Sequence, residues 1–223
     1  MNPYSHLVIA AQLEGEIQPV DREEYYWGAV APDVRYTARV QRERTHIPPE
    51  EIVKYFQQYP QLESFIQGFM VHRLTDLIEI NIFLRQRVLF WPILFLTPGR
   101  FITVLIETYY IEKMPLPITL SGTPNTILRN LRIRDDQTRA FADAIRPFAA
   151  APAFETAVDF LRILSRGSAR VEKYIEAGQA IQRNHYLIPI LFELANLKKL
   201  NQQVLDSLRR DEILRQAVFK TIR

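Results

Sequence analysis

A chain of 223 residues with 48% hydrophobic content can build a sizeable core, and it has no cysteine with which to staple one. The missing thiols exclude disulfides and thiolate metal sites, so a transition metal would have to be held by His6, His46, His72, His185, carboxylates or backbone oxygens. A net charge of +3 falls well short of the concentrated basic surface of a dedicated nucleic-acid binder, and no nucleic-acid partner is expected.

The opening Met1-Asn2-Pro3-Tyr4-Ser5-His6 has no basic segment leading into an apolar run, so no signal peptide is read and a cytoplasmic location is expected. Asn2 and Pro3 make an N-cap and first-turn pair and Gly15 a stop, which predicts a helix over residues 3–14 with His6 in its first turn. Residues 16–49 change in character. Aromatic Tyr25-Tyr26-Trp27-Gly28 leads into Ala29-Val30-Ala31-Pro32-Asp33, then into a polar stretch ending Arg44-Thr45-His46-Ile47-Pro48-Pro49. Pro32 disfavours helix at Ala31 and the double proline stops anything before Glu50, so this segment reads as a short helix and loops that present Asp33 and His46.

Residues 65–80 read as a helix that is apolar nearly all round and therefore buried. Residues four apart share a face, so His72 and Asp76 point into one space. At about 100° per residue, Gly68, Thr75 and Glu79 fall within roughly 60° of the His72 direction, and the result is a narrow polar stripe. Burying an imidazole and two carboxylates without partners costs several kcal/mol, so the stripe must meet cations, donors or a metal. Gly68 leaves room there for an ion or a neighbouring backbone. Glu79 is open to three readings: a ligand, an acceptor that orients an imidazole, or a carboxylate paired with an arginine.

From Pro49 onward the pattern is helical, with breaks expected near Pro60, Pro92, Pro98–Gly99, Pro115–Pro117, Ser121–Pro124, Pro147–Pro152, Gly167 and Gly178. No stretch alternates as a strand does, so the class is all-α, a single domain over 1–223 with a metal-site region 1–80 and a helical remainder 81–223. The apolar run from Val88 to Ile111 is interrupted at Pro92 and at Thr97–Arg100, which leaves pieces of about ten residues against the roughly 20 of a membrane span. The C-terminal helices carry a basic bias, read as a solvated face, with contact to a membrane surface or a homodimer seam as the sharper options.

Four pieces now stand in order: His6; Gly28-Ala29-Val30-Ala31-Pro32-Asp33; Arg44-Thr45-His46; and Gly68-Phe69-Met70-Val71-His72-Arg73-Leu74-Thr75-Asp76. Their order and spacing resemble the zinc-dependent phospholipase C family, whose relatives include the single-strand-specific zinc nucleases. The resemblance covers residues 1–80. It implies an all-α bundle that hydrolyses phosphoesters with a metal-activated water. It also implies that Asp33, His46, His72 and Asp76 hold one zinc, with Asp76 bridging to a second ion also held by His6. Asp33 is alternatively the base that orients the water. The family's further zinc takes two histidines and a glutamate downstream, whereas only His185 follows Asp76 here, and Met1-Asn2 does not match the family's N-terminal tryptophan. A reduced site of one or two Zn2+ ions is therefore expected.

The donor chemistry agrees on its own terms, because two imidazoles and two carboxylates suit zinc and zinc lowers the pKa of its water to about 7. Arg35 and Arg44 are candidates for binding phosphate oxygens, and Arg73, turned about 100° from His72, is a weaker one. Two readings compete: a phosphoester or phospholipid hydrolase, and a metal-binding or assembly module without turnover. A purely structural helical protein stands behind both. The first two require His46, His72, Asp33 and Asp76 to converge on one point.

Overall fold

The computed structural model describes residues 3–85, 101–122, 126–165, 169–183, 186–194 and 196–218. Among these residues there is no strand, and the fold is all-α. The metal-site half runs through α1 (Pro3–Ile17), α2 (Arg22–Val30), a 3-10 turn (Ala31–Val34), α3 (Arg35–Ala38), α4 (Arg42–Thr45), α5 (Pro49–Gln58), a second 3-10 turn (Pro60–Leu62) and α6 (Glu63–Arg85). Beyond it come α7 (Phe101–Lys113), α8 (Thr126–Asn130), α9 (Asp135–Ala150), α10 (Phe154–Ser165), α11 (Ala169–Arg183), α12 (Leu187–Leu194), α13 (Leu197–Arg210) and α14 (Glu212–Val218).

α6 is the central element, packed by α1, α2, α5 and α13. Phe65, Ile66, Phe69, Met70, Val71 and Leu74 are buried on several sides of it, as expected of a mostly apolar core helix, and Leu77 is exposed. Its approach to α2 is set by two glycines. A Cβ on Gly68 would overlap Tyr25 O and lie 2.8 Å from Ala29 N, and a Cβ on Gly28 would overlap Phe65 O and lie 2.8 Å from Phe69 N. Each glycine thus admits the other helix's backbone, and the space beside His72 that the sequence left open to an ion or a backbone holds backbone.

α1 is buried over Pro3–Ala10 and is fixed at its start. Glu107 of α7 accepts from the Tyr4 and Ser5 backbone amides at 3.2 and 3.3 Å, satisfying two of the donors that a helix N-terminus leaves free. Gly15 does not stop this helix. Nothing crowds it, the helix runs on to Ile17, and the turn comes at Gln18, which adopts a left-handed φ of 51°.

Other expected breaks also shift. Pro147 lies inside α9, close enough to its end at Ala150 that the chain is helical past it, and Gly178 lies inside α11. The breaks at Pro92, Pro98–Gly99 and Gly167, and His185, lie outside the described residues. Tyr25, Tyr26 and Trp27 are core residues, tied down by Tyr25 Oη to Ala10 O at 2.9 Å and Trp27 Nε1 to Ser121 O at 2.6 Å. Among the described residues no helix is long and apolar enough to cross a membrane. α13 buries Leu197, Leu200, Val204, Leu205 and Leu208 along one face, where Asn201 accepts from the Tyr110 hydroxyl at 2.8 Å.

Candidate metal centre

His6 comes from α1, Asp33 from the 3-10 turn after α2, His46 from the residue that ends α4, and His72 and Asp76 from α6. The local sequence accounts for each placement. Pro32 opens the tight turn that carries Asp33, Pro48 and Pro49 keep His46 from being drawn into α5, and the i,i+4 spacing stacks His72 over Asp76.

All five side chains are buried, and they gather as two overlapping triplets rather than as the single four-residue set of His46, His72, Asp33 and Asp76 that the resemblance implies. Ligand atoms of His6, Asp33 and His72, and separately of His46, His72 and Asp76, lie within 4.8 Å of one another. Asp76 divides its oxygens: Oδ1 lies 3.5 Å from His6 Nε2, while Oδ2 lies 3.3 Å from His46 Nε2 and 3.9 Å from His72 Nε2. Ligands about 2.05 Å from a tetrahedral ion are about 3.3 Å apart, so these separations are near those of a coordination shell. The His6 and His72 rings stack at 3.6 Å between centroids, and His46 meets His72 edge-on.

Neighbouring acceptors fix which nitrogens are free. His72 Nδ1 lies 2.7 Å from Ala29 O and must donate to it, leaving Nε2 with a lone pair and no hydrogen-bond partner. Thr45 Oγ1 lies 3.0 Å from His46 Nδ1 and 3.4 Å from Arg42 O, and this holds the His46 ring with Nε2 toward Asp76. Burial, together with the charge of His6, keeps His72 well below the usual imidazole range, and burial lowers His46 as well. Neutral imidazoles are what a metal requires. Burial penalises the Asp76 carboxylate, but its contacts with His46 and His6 outweigh that and hold it well below the usual range, whereas burial raises Asp33. His6 Nδ1 and Nε2, His72 Nε2 and Asp33 Oδ2 have no hydrogen-bond partner, and one ligand atom from each of these three residues lies within 4.8 Å of the others. This buried group of imidazoles and carboxylates can hold a metal ion.

Because His72 spends Nδ1 on Ala29, it offers one nitrogen to the two overlapping triplets. One ion can take it, and a second would depend on His6, Asp33 and the other oxygen of Asp76.

The remaining predicted residues fall elsewhere. Arg44 donates from Nε to Leu131 O at 2.9 Å, and Arg35 covers the Tyr36 ring at 4.1 Å and bonds its hydroxyl. Neither is tied to the cluster by a contact. The arginines that do reach it are Arg42, in a close ion pair with Asp76 Oδ2, and Arg73, whose Nη1 is 3.7 Å from the same atom. Arg42 escaped the sequence reading because it is 34 residues from Asp76, and only folding brings the two together.

Glu79 joins neither triplet, and its Oε1 has no hydrogen-bond partner. Burial, reinforced by Asp76 and Glu107, pushes its carboxyl up to about 8. An unfolded glutamate titrates near ~4.3. The stability linked to this proton is therefore complete below that value and is lost as pH rises through the folded pKa of about 8. Urea midpoints of metal-free protein are expected to fall between pH 5 and 9. Glu79→Gln should flatten that fall and stand above wild type at pH 9 by on the order of a few kcal/mol. Equal slopes in both proteins would mean that Glu79 is solvated.

No protein-family model matches the chain, and neither curated proteins nor solved structures give a match.

Proposed function

We propose that this chain is a metal-dependent phosphoester hydrolase resembling the zinc-dependent phospholipase C family, with a site for one or two zinc ions. The observation that supports it best is the division of Asp76, one oxygen toward His6 and the other toward His46 and His72, which is the disposition a bridging carboxylate needs. Zinc suits a donor set of nitrogen and oxygen without sulfur, and when bound it supplies Lewis acidity and activates water near neutral pH. His46, His72 and Asp76 would hold it, with Asp33 as a further ligand or as the base. In the second role, Asp33 Oδ2, which has no hydrogen-bond partner, would be the atom to take a proton from water. His6 would share a second ion with Asp76.

One observation favours a binding or assembly module without turnover. His72 is fully buried and His6 and Asp76 nearly so, which leaves little surface for a substrate to reach the ion. Metal content per chain and turnover of a chromogenic phosphodiester separate the two. The hydrolase is expected to carry one or two zinc ions and to lose turnover with chelator, and His72→Ala should lose both metal and turnover. Metal without turnover would establish the module instead, and failure to take up zinc at all would remove both readings.

A further inference from the structure

Two guanidinium groups reach the cluster, one from solvent and one from the core. Arg42, at the start of α4, pairs with Asp76 Oδ2 while 38% of its side chain remains exposed. Arg73 is only 7% exposed, is anchored by donation from Nε to Ile47 O at 2.9 Å, and leaves Nη1 without a hydrogen-bond partner 3.7 Å from Asp76 Oδ2. A buried guanidinium with an unused donor is costly unless an anion completes it. Asp76 is the carboxylate that both arginines face; it belongs to the triplet with His46 and His72, and its other oxygen lies 3.5 Å from His6 of the second triplet.

If a divalent cation draws on the lone pairs of Asp76, that cation and both guanidiniums share one small volume. Asp33 and Asp76 do not balance them. The surplus positive charge calls for an oxyanion, and the planar fork of arginine matches phosphate oxygens two at a time.

We propose that Arg42 and Arg73 form an oxyanion clamp beside the metal, which grips the non-bridging oxygens of a phosphoryl group on the substrate. This rests on the metal-dependent reading above and names its anion-binding residues. Arg42 is the mobile member, free to leave Asp76 for an incoming anion, and Arg73 is the fixed one. The clamp also bears on access to a buried centre, because Arg42 pairs with the buried Asp76 while 38% of its own side chain is exposed.

The test uses the full chain, zinc and inorganic phosphate in calorimetric titrations. Zinc-loaded wild type is expected to bind phosphate at least about 10-fold more tightly than metal-free protein. Arg42→Met should weaken that binding about 10- to 100-fold, and Arg42→Lys should recover part of it. Zinc binding moves the opposite way: Arg42→Met should bind zinc as tightly as wild type or more so, since a competitor for Asp76 is gone, a result that loss of structure would not give. Displacement of phosphate by glycerol phosphate would identify a soluble ester as the source of the group, and displacement by phosphatidic acid vesicles a lipid headgroup. Unchanged phosphate binding in zinc-loaded Arg42→Met overturns the clamp and leaves the metal centre standing. Absence of zinc binding in wild type overturns both.

Discussion

Gly68→Ala is expected to destabilise the protein by about 3 kcal/mol or more, a large share of the roughly 5–15 kcal/mol that holds a domain together. The added methyl would overlap Tyr25 O and press on Ala29 N. Both are backbone atoms of a buried helix and cannot turn aside as a side-chain tip would. Relief requires α2 and α6 to separate, and that motion also carries Ala29 O away from His72 Nδ1, so the imidazole loses the bond that aims its other nitrogen at Asp76. Zinc affinity should therefore fall together with stability. For a chain of this size the thermal midpoint should drop by on the order of 10 °C. Gly15→Ala is the control. Gly15 also lies in a helix but has nothing within 4 Å of its Cβ position, so alanine there should stabilise by about 0.5–1 kcal/mol. Similar melting for the two variants would show that the α2–α6 crossing is not tight.

That crossing marks a limit on what the sequence makes legible. The polar stripe on residues 65–80 can be read because i,i+4 spacing is a local rule, and it brings His72 and Asp76 together as expected. Gly68 shows only that something needs room, and that the neighbour is the Tyr25–Ala29 backbone depends on how two helices meet. The same limit separates Arg44 from Arg42. They sit two residues apart on a four-residue helix, so they point in nearly opposite directions, and the register of that helix decides which one meets Asp76. Arg44 finds Leu131 O instead. Helix ends depart from the expected positions for a local reason. Gly15 and Pro147 are weak stops when no alternative conformation is stabilised around them, whereas Pro32, at the start of a 3-10 turn, coincides with the end of α2.

Asp76→Asn should produce the largest change at the site. Asp76 is the shared partner of His6, His46, His72, Arg42 and Arg73, and asparagine keeps its shape while removing its charge. Zinc affinity should fall by more than about 100-fold, beyond the loss usual for a residue that merely orients a ligand. The metal-free protein should also lose on the order of 3 kcal/mol, because breaking a buried pair strands the remaining charge. Arg42 can withdraw into water, so most of that cost belongs to Arg73, whose Nε stays fixed on Ile47 O. The pH dependence has a definite sign. The folded-state carboxyl is held far below its unfolded value near ~3.9, so its stabilisation is present above that value and is lost only as pH falls through the folded pKa. Urea midpoints of wild type and variant, measured without metal, should therefore differ by a constant amount from pH 8 down to about pH 4 and converge below it. A gap that is small at pH 8 and widens as pH falls through about 6, where imidazoles gain their proton, would assign the stabilisation to protonated histidines rather than to the two arginines, and Arg73 would then need another counter-charge.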